Sequence, residues 1–363
     1  MLHSPRRRAG IAGAAIAALA LAAVGCGGGG GGSGPTVALL LPENQTARYE
    51  THDRPDFEAK LKQVCGNCKV LYSNATQDAT KQQSQADAAL TQGAKVLVLD
   101  PVDAGSAGAI VAKAKARNVP VISYDRLITN SSIDYYVSFD NARVGKLQAS
   151  TLDAKLKSMG KPSGPIIMIN GDPADNNAKL FKQGATTQFK ADGVKIAKQY
   201  DTPGWLGAKA QNEAQQAITA LGNGGFAALY GANDDMAQGG IAAMKGAGID
   251  PKTRPTTGQD ASLAGVQRIL AGTQYMTVYK AVTKEAQVAA EIAGAAAQGK
   301  KPPASLLNQQ TNNGKKSVPS AILTPVVATV ANIKDTVIKD NFWKVSEICT
   351  SAYAAACRKA GIQ

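Results

Sequence analysis

Short apolar runs, each closing on an acidic or amide side chain, recur along this chain. VLVLD ends at Asp100, VISYD at Asp125, YYVSFD at Asp140 and IIMINGD at Asp172. AALYGAND reaches Asn233 and TTGQD closes at Asp260. Each run is strand-sized and apolar throughout, the pattern of a parallel strand buried on both faces. Helical spacing separates most of them. Phe57, Leu61 and Val64 fall at i, i+4, i+7 after a strand at 37–41, and a polar-rich helix at 80–92 follows a strand at 70–72. Helices at 104–117 and from Val144 onward continue the alternation, which restarts with strands at 166–169, 195–200, 226–230, 256–258 and 276–279. Residues 318–330 read as extended, and 333–339 as a short helix. The pattern predicts an α/β fold of two doubly wound parallel-sheet lobes. Elements left over after the second half imply three crossings, near 140–145, 279–281 and 323–326, and hence a three-segment hinge. The lobes are expected at 36–142 plus 281–323 and at 143–280 plus 324–345.

The ends change the picture. Arg6–Arg8 and the apolar stretch 9–24 make residues 1–26 an export signal. The stretch is Ala-rich and shorter than the about 20 residues a spanning helix needs, so an uncleaved anchor is the weaker reading. It ends in LAAVGC, which resembles a bacterial lipobox with Cys26 as the lipidated residue, although Ala23 stands where Leu is usual. Residues 27–35, rich in glycine, read as a flexible tether. They follow no strand and lack a Lys-Ser/Thr pair, so they are not a phosphate loop.

In an oxidising compartment Cys65 and Cys68 can bridge locally, and Cys349 and Cys357 can close a tail at 346–363. A structural bridge is favoured over a redox pair at Cys65-Gly66-Asn67-Cys68. Zinc is disfavoured because the chain has 2 His and its Cys pairs lie at opposite ends. No cofactor or metal site is expected. The chain carries 40 Lys and Arg against 27 Asp and Glu. The bases are scattered lysines without an Arg-rich block, so nucleic acid is a poor partner.

In parallel sheets ligands sit beyond the carboxyl ends of strands. Polar residues collected there suit a hydroxyl-rich ligand, since carboxylates accept, Arg donates as a fork and Asn does both. Blander readings compete. Asp125 and Arg126 could form a surface ion pair. Asp175, Asn176 and Asn177 could be a helix N-cap cluster, and Asp260 could cap a helix beginning at Ala261. Pro203, Gly204 and Gly207 put Trp205 on a loop rather than in a core. Asp100 and Asp140 read as turn residues, His52 as a surface residue, and 314–316 as a solvated loop.

The strings VISYDRLI (121–128), YYVSFDN (135–141), DNNAKLF (175–181), GQDASLAGVQRILAGTQYMTVYK (258–280) and LTPVV with NIKDTVIKD (323–340) closely resemble the D-xylose-binding proteins of bacterial ABC importers. Those are type I periplasmic binding proteins, and the resemblance spans nearly all of 36–345. It implies a monosaccharide, D-xylose first, held between two lobes and delivered to a membrane permease. It also implies a monomer exported to the periplasm or held at the outer face of the cytoplasmic membrane. The implied contacts are Arg48, Asp125 and Arg126 from the first lobe and Asp175, Asn177, Asn233 and Asp260 from the second. Lys280 joins them at a crossing, with Trp205 stacked on the ring. The first loop, ARYETHDRPDF, carries one extra residue relative to the family, and Tyr49 stands for a family Trp as a second ring contact. The CGNC insertion and the Cys349/Cys357 tail are departures from the pattern.

Other function classes fare worse. A glycosidase would need two carboxylates flanking one bond, one with a raised pKa, and Arg126 and Lys280 would oppose that. A Ser–His hydrolase lacks its motif. A sugar repressor would carry a helix-turn-helix where this chain has an export segment. A sensor passing ligand state to a membrane receptor remains open beside the importer reading.

Overall fold

The computed structural model describes residues 34–362; Cys26, the export segment and most of the tether lie outside them. The first half alternates regularly: β1 (Thr36–Leu41), α1 (Arg54–Val64), β2 (Lys69–Asn74), α2 (Ala79–Thr91), β3 (Ala94–Leu99), α3 (Gly108–Ala116), β4 (Val121–Tyr124) and β5 (Tyr135–Phe139). The second continues with α4 (Asn141–Ser158), β6 (Ile166–Asn170), α5 (Asn176–Asp192), β7 (Ile196–Asp201), α6 (Gly207–Leu221), β8 (Ala228–Gly231), α7 (Asp234–Gly246), α8 (Leu263–Ala271) and β9 (Met276–Tyr279). The chain closes with α9 (Val282–Ala297), β10 (Gln309–Asn312), β11 (Ser317–Leu323), β12 (Val326–Thr329), α10 (Val345–Ile348) and α11 (Ala354–Lys359).

A seven-stranded sheet runs β10-β11-β5-β4-β3-β1-β2. It is parallel except for the β10/β11 edge. The alternation of side chains explains why β1 is apolar from Val37 to Leu41. Val37, Leu39 and Leu41 pack with Phe57 and Leu61 of α1 and with the Ala-rich face of α9. Ala38 and Leu40 face α2 and α3 on the opposite side. A smaller parallel sheet, β7-β6-β8, is clothed by α4 to α7 around Ile166–Ile169. β9 pairs antiparallel with β12. The chain passes between the two sets of elements after β5, after β9 and between β11 and β12.

Disulfides join Cys65 to Cys68 in the turn after α1, and Cys349 to Cys357 in the tail. Three expectations need correction. The helix expected from residue 104 starts at Gly108, because the Asp103 carboxylate accepts from the Gly105 and Ser106 amides (3.1 and 2.6 Å) and holds a turn there. The strand expected at 256–258 is an isolated bridge between Leu229 and Thr256. α8 begins at Leu263 with Ser262 as its cap, so Asp260 does not cap it.

Candidate functional site

Strand ends and helix starts bring the polar residues together. Asp125 and Arg126 leave β4 directly, and Lys280 leaves β9. Arg48 and Tyr49 come from the loop and π-turn after β1. From the other side, Asp175 caps α5, with Asn177 in its first turn. Asn233 caps α7, and Trp205 sits in a short turn after β7. Every contact expected from the sequence lines one cavity: Arg48, Tyr49, Asp125, Arg126, Asp175, Asn177, Trp205, Asn233, Asp260 and Lys280. Thr46, Phe181 and Gln259 complete the lining.

The two walls touch. Asn177 Nδ2 donates to the Asp125 carboxylate and to its carbonyl (3.1 Å). Arg126 Nε lies 3.1 Å from Asp175 Oδ2. Lys280 Nζ lies 3.2 Å from Asp260 and 3.9 Å from Asp125. Asp175 caps α5 with one oxygen, while the other faces the cavity, meets Arg126 and accepts from Trp205 Nε1 at 3.2 Å. Trp205 likewise lines the cavity and is 4 % exposed, packed in the core of the smaller half with Phe181 edge-on at 6.5 Å. Gln259 Oε1 is buried and accepts no hydrogen bond among the described residues, and the buried Asp260 Oδ1 has the Lys280 ammonium as its one polar neighbour among them.

Behind these groups lies a layer of carboxylates. Arg48 donates to Asp53 (2.8 and 2.6 Å), to Glu285 (2.9 Å) and to Asp125, and Tyr124 also donates to Asp53. Arg126 faces Asp100 at 3.6 Å and Glu43 at 3.9 Å. Asp100 is therefore no simple turn residue: it is fully buried against the guanidinium. Burial pushes the Asp125 carboxyl up, but Arg48, Lys280 and Arg126 outweigh it and hold the group below the usual carboxylate range. Burial dominates instead at Asp100 and Glu285, pushing both well up. This arrangement fixes buried donors and acceptors around one cavity, which is the chemistry of binding.

Residues 37–301 match the family model described as periplasmic binding protein domain. The chain belongs to this family. Its members are solute-binding proteins rather than enzymes, and so is this chain. It is 39% identical over 300 residues to the D-xylose-binding periplasmic protein of Escherichia coli, covering 82% of this chain and 87% of the relative. It is 32% identical over 330 residues to a multiple sugar-binding periplasmic protein of Azospirillum brasilense, covering 85% and 90%. The crystal structure of an ABC transporter solute-binding protein from Clostridium phytofermentans with bound β-D-glucose is similar at TM-score 0.76 and 28% identity. That match covers 86% of this chain and 99% of the other.

Some backbone strain falls on the cavity of this periplasmic binding protein. Asp125, Trp205 and Asp260 all have positive φ (50, 54 and 88°), a region L-residues rarely adopt. The supporting carboxylates escaped sequence reading. Glu285 had a visible signal, a carboxylate on the otherwise apolar stripe of α9. Phe181, one turn past Asn177, had the spacing of a shared helix face.

Proposed function

We propose that the protein is an exported monomer that captures one monosaccharide, D-xylose first among candidates, and hands it to the permease of an ABC importer. The observation that carries this reading is the cavity in which carboxylates, amides, two guanidiniums and an ammonium converge beside Tyr49 and Trp205. A pyranose presents paired hydroxyls around apolar C–H faces. Gln259 Oε1, which accepts no hydrogen bond among the described residues, and the Asp260 carboxylate, which meets only Lys280, suit its hydroxyl protons, and the aromatic rings suit its faces. The names of the relatives support a sugar, and the D-xylose-binding relative in Escherichia coli supports the pentose.

The elements read as two lobes, 36–142 with 281–323 and 143–280 with 324–345. The three crossings form the hinge between them. A ligand touching Asp125 and Arg126 on one wall and Asp175, Asn177, Asn233 and Asp260 on the other binds the closed form better, and so shifts the population toward it. Residues 1–26 direct export. Lipid on Cys26 and the tether at 27–35 hold the receptor at the outer face of the membrane.

A thermal-shift screen of the secreted chain against pentoses and hexoses tests the reading. D-xylose at 100-fold over its Kd should add about 2.7 kcal/mol of stability. Asp260→Ala should abolish that gain, measured against its own unliganded transition, which falls because Lys280 loses its partner. A wild type shifted by no pentose or hexose would overturn the proposal.

A further inference from the structure

Phe342 and Trp343 stand side by side just before α10, in a chain with 6 Phe and 2 Trp. The function described so far uses neither. The Phe342 ring lies 3.9 Å from the His52 imidazole with planes 15° apart, and Trp343 meets the same imidazole edge-on at 4.7 Å. His52 belongs to the Tyr49–Asp53 turn, the segment that delivers Tyr49 to the cavity. It is thus a stacked residue and not the free surface residue its sequence context suggests. On the other side, Trp343 Nε1 donates to the Ala261 carbonyl at 2.8 Å. Ala261 follows Asp260, and both have positive φ (48 and 88°), so this turn needs an external hold. Phe342 also meets Tyr279 edge-on at 5.3 Å, and Tyr279 donates to Asp340 at 3.1 Å. Lys280 is the next residue.

One short segment therefore contacts the chain neighbours of three cavity residues that come from three separate places in the sequence. The segment is firmly seated. Ile348, Cys357 and Ile362 pack with Val266 and Ile269 of α8, Gln267 donates to the Glu347 carbonyl at 3.1 Å, and the Cys349–Cys357 bridge closes the tail.

We infer that His52, Phe342 and Trp343 form an aromatic clasp of positioning residues that joins the Tyr49 turn to the Asp260 and Lys280 segments and sets how fast the bound sugar escapes. The inference rests on the sugar-binding reading. None of the three lines the cavity; the clasp acts by holding the segments that do. Opening the cleft parts the stack, so the clasp weighs on release and not on encounter.

Stopped-flow kinetics by tryptophan fluorescence, with D-xylose and D-glucose as probes, tests it in the full secreted chain. His52→Ala should speed dissociation roughly threefold to tenfold, the worth of one aromatic contact, with association unchanged. His52→Phe, which keeps a ring to stack, should restore the wild-type rate. Trp343→Phe keeps the ring but removes the hydrogen bond to Ala261, and it should speed dissociation as well. Recovery by His52→Phe is a readout that mere fold stability would not give. Wild-type dissociation in His52→Ala, with a wild type that binds, would overturn the clasp alone. A wild type that binds neither sugar would overturn the reading beneath it before any variant is compared.

Discussion

Trp205 owes its position to a residue without a side chain. A Cβ added at Gly171, just past β6, would fall 2.0 Å from the indole. Gly171→Ala should therefore push the ring out of place. Overpacking costs about 1–3 kcal/mol, and here it is spent at the cavity, so sugar affinity should fall by tenfold or more on fluorescence titration. Asp235 makes a second residue-scale case. Burial, with Asp234, Asp260 and Glu43 nearby, raises its carboxyl from 3.8 to about 7, against the pull of Arg268. A raised acid binds its proton more tightly in the folded state. Its stabilising contribution is complete below the unfolded value and is lost as pH rises through about 7. Asp235→Asn cannot ionise, so chemical denaturation between pH 4 and 8 should show a flatter stability profile than wild type. An unchanged slope would mean that Asp235 titrates normally.

At the scale of elements, α4 and α5 touch through glycine. A Cβ at Gly145 would meet the Phe181 carbonyl oxygen at 1.9 Å, and one at Gly184 would meet that of Ala142 at 2.0 Å. These helices start with Asn141 and with Asp175 to Asn177, so their spacing sets part of one cavity wall. Alanine usually favours a helix over glycine by about 1 kcal/mol. Gly184→Ala should do the reverse, lowering the melting temperature by several degrees and weakening sugar binding. Gly246→Ala in α7, where a Cβ meets nothing nearer than 3.8 Å, should be tolerated.

Strands were legible in the sequence wherever burial on both faces made them largely apolar, as in β1, β3, β4 and β6. Asp125, Asn233 and Asp260 were legible because polar residues close apolar runs of this kind, whereas Arg48, Tyr49, Asp175, Asn177, Trp205 and Lys280 came from the family resemblance. What stayed hidden depended on distant partners. β10 is a polar edge strand defined only by pairing with β11, and α10 and α11 have no apolar period of their own. Asp100 and Glu285 gain their meaning from Arg126 and Arg48, which approach from elsewhere in the chain.

For the molecule as a whole, the cations of the cleft are already taken. The Arg48 fork is filled by Asp53, Asp125 and Glu285, Arg126 is held by Asp175, and Lys280 by Asp260. Breaking one such buried pair to admit a rival carboxylate leaves a charge uncompensated, which costs about 3–5 kcal/mol. The surplus positive charge of the chain lies elsewhere and does not alter this. D-glucuronate and xylose phosphate should therefore give no thermal shift at concentrations where D-xylose saturates. Salt should barely move xylose affinity, since screening reaches exposed charges far more than buried ones. A binding protein built this way should sort a nutrient pool first by oxidation and phosphorylation state and only then by stereochemistry, letting sugar acids and esters pass however well their rings would fit.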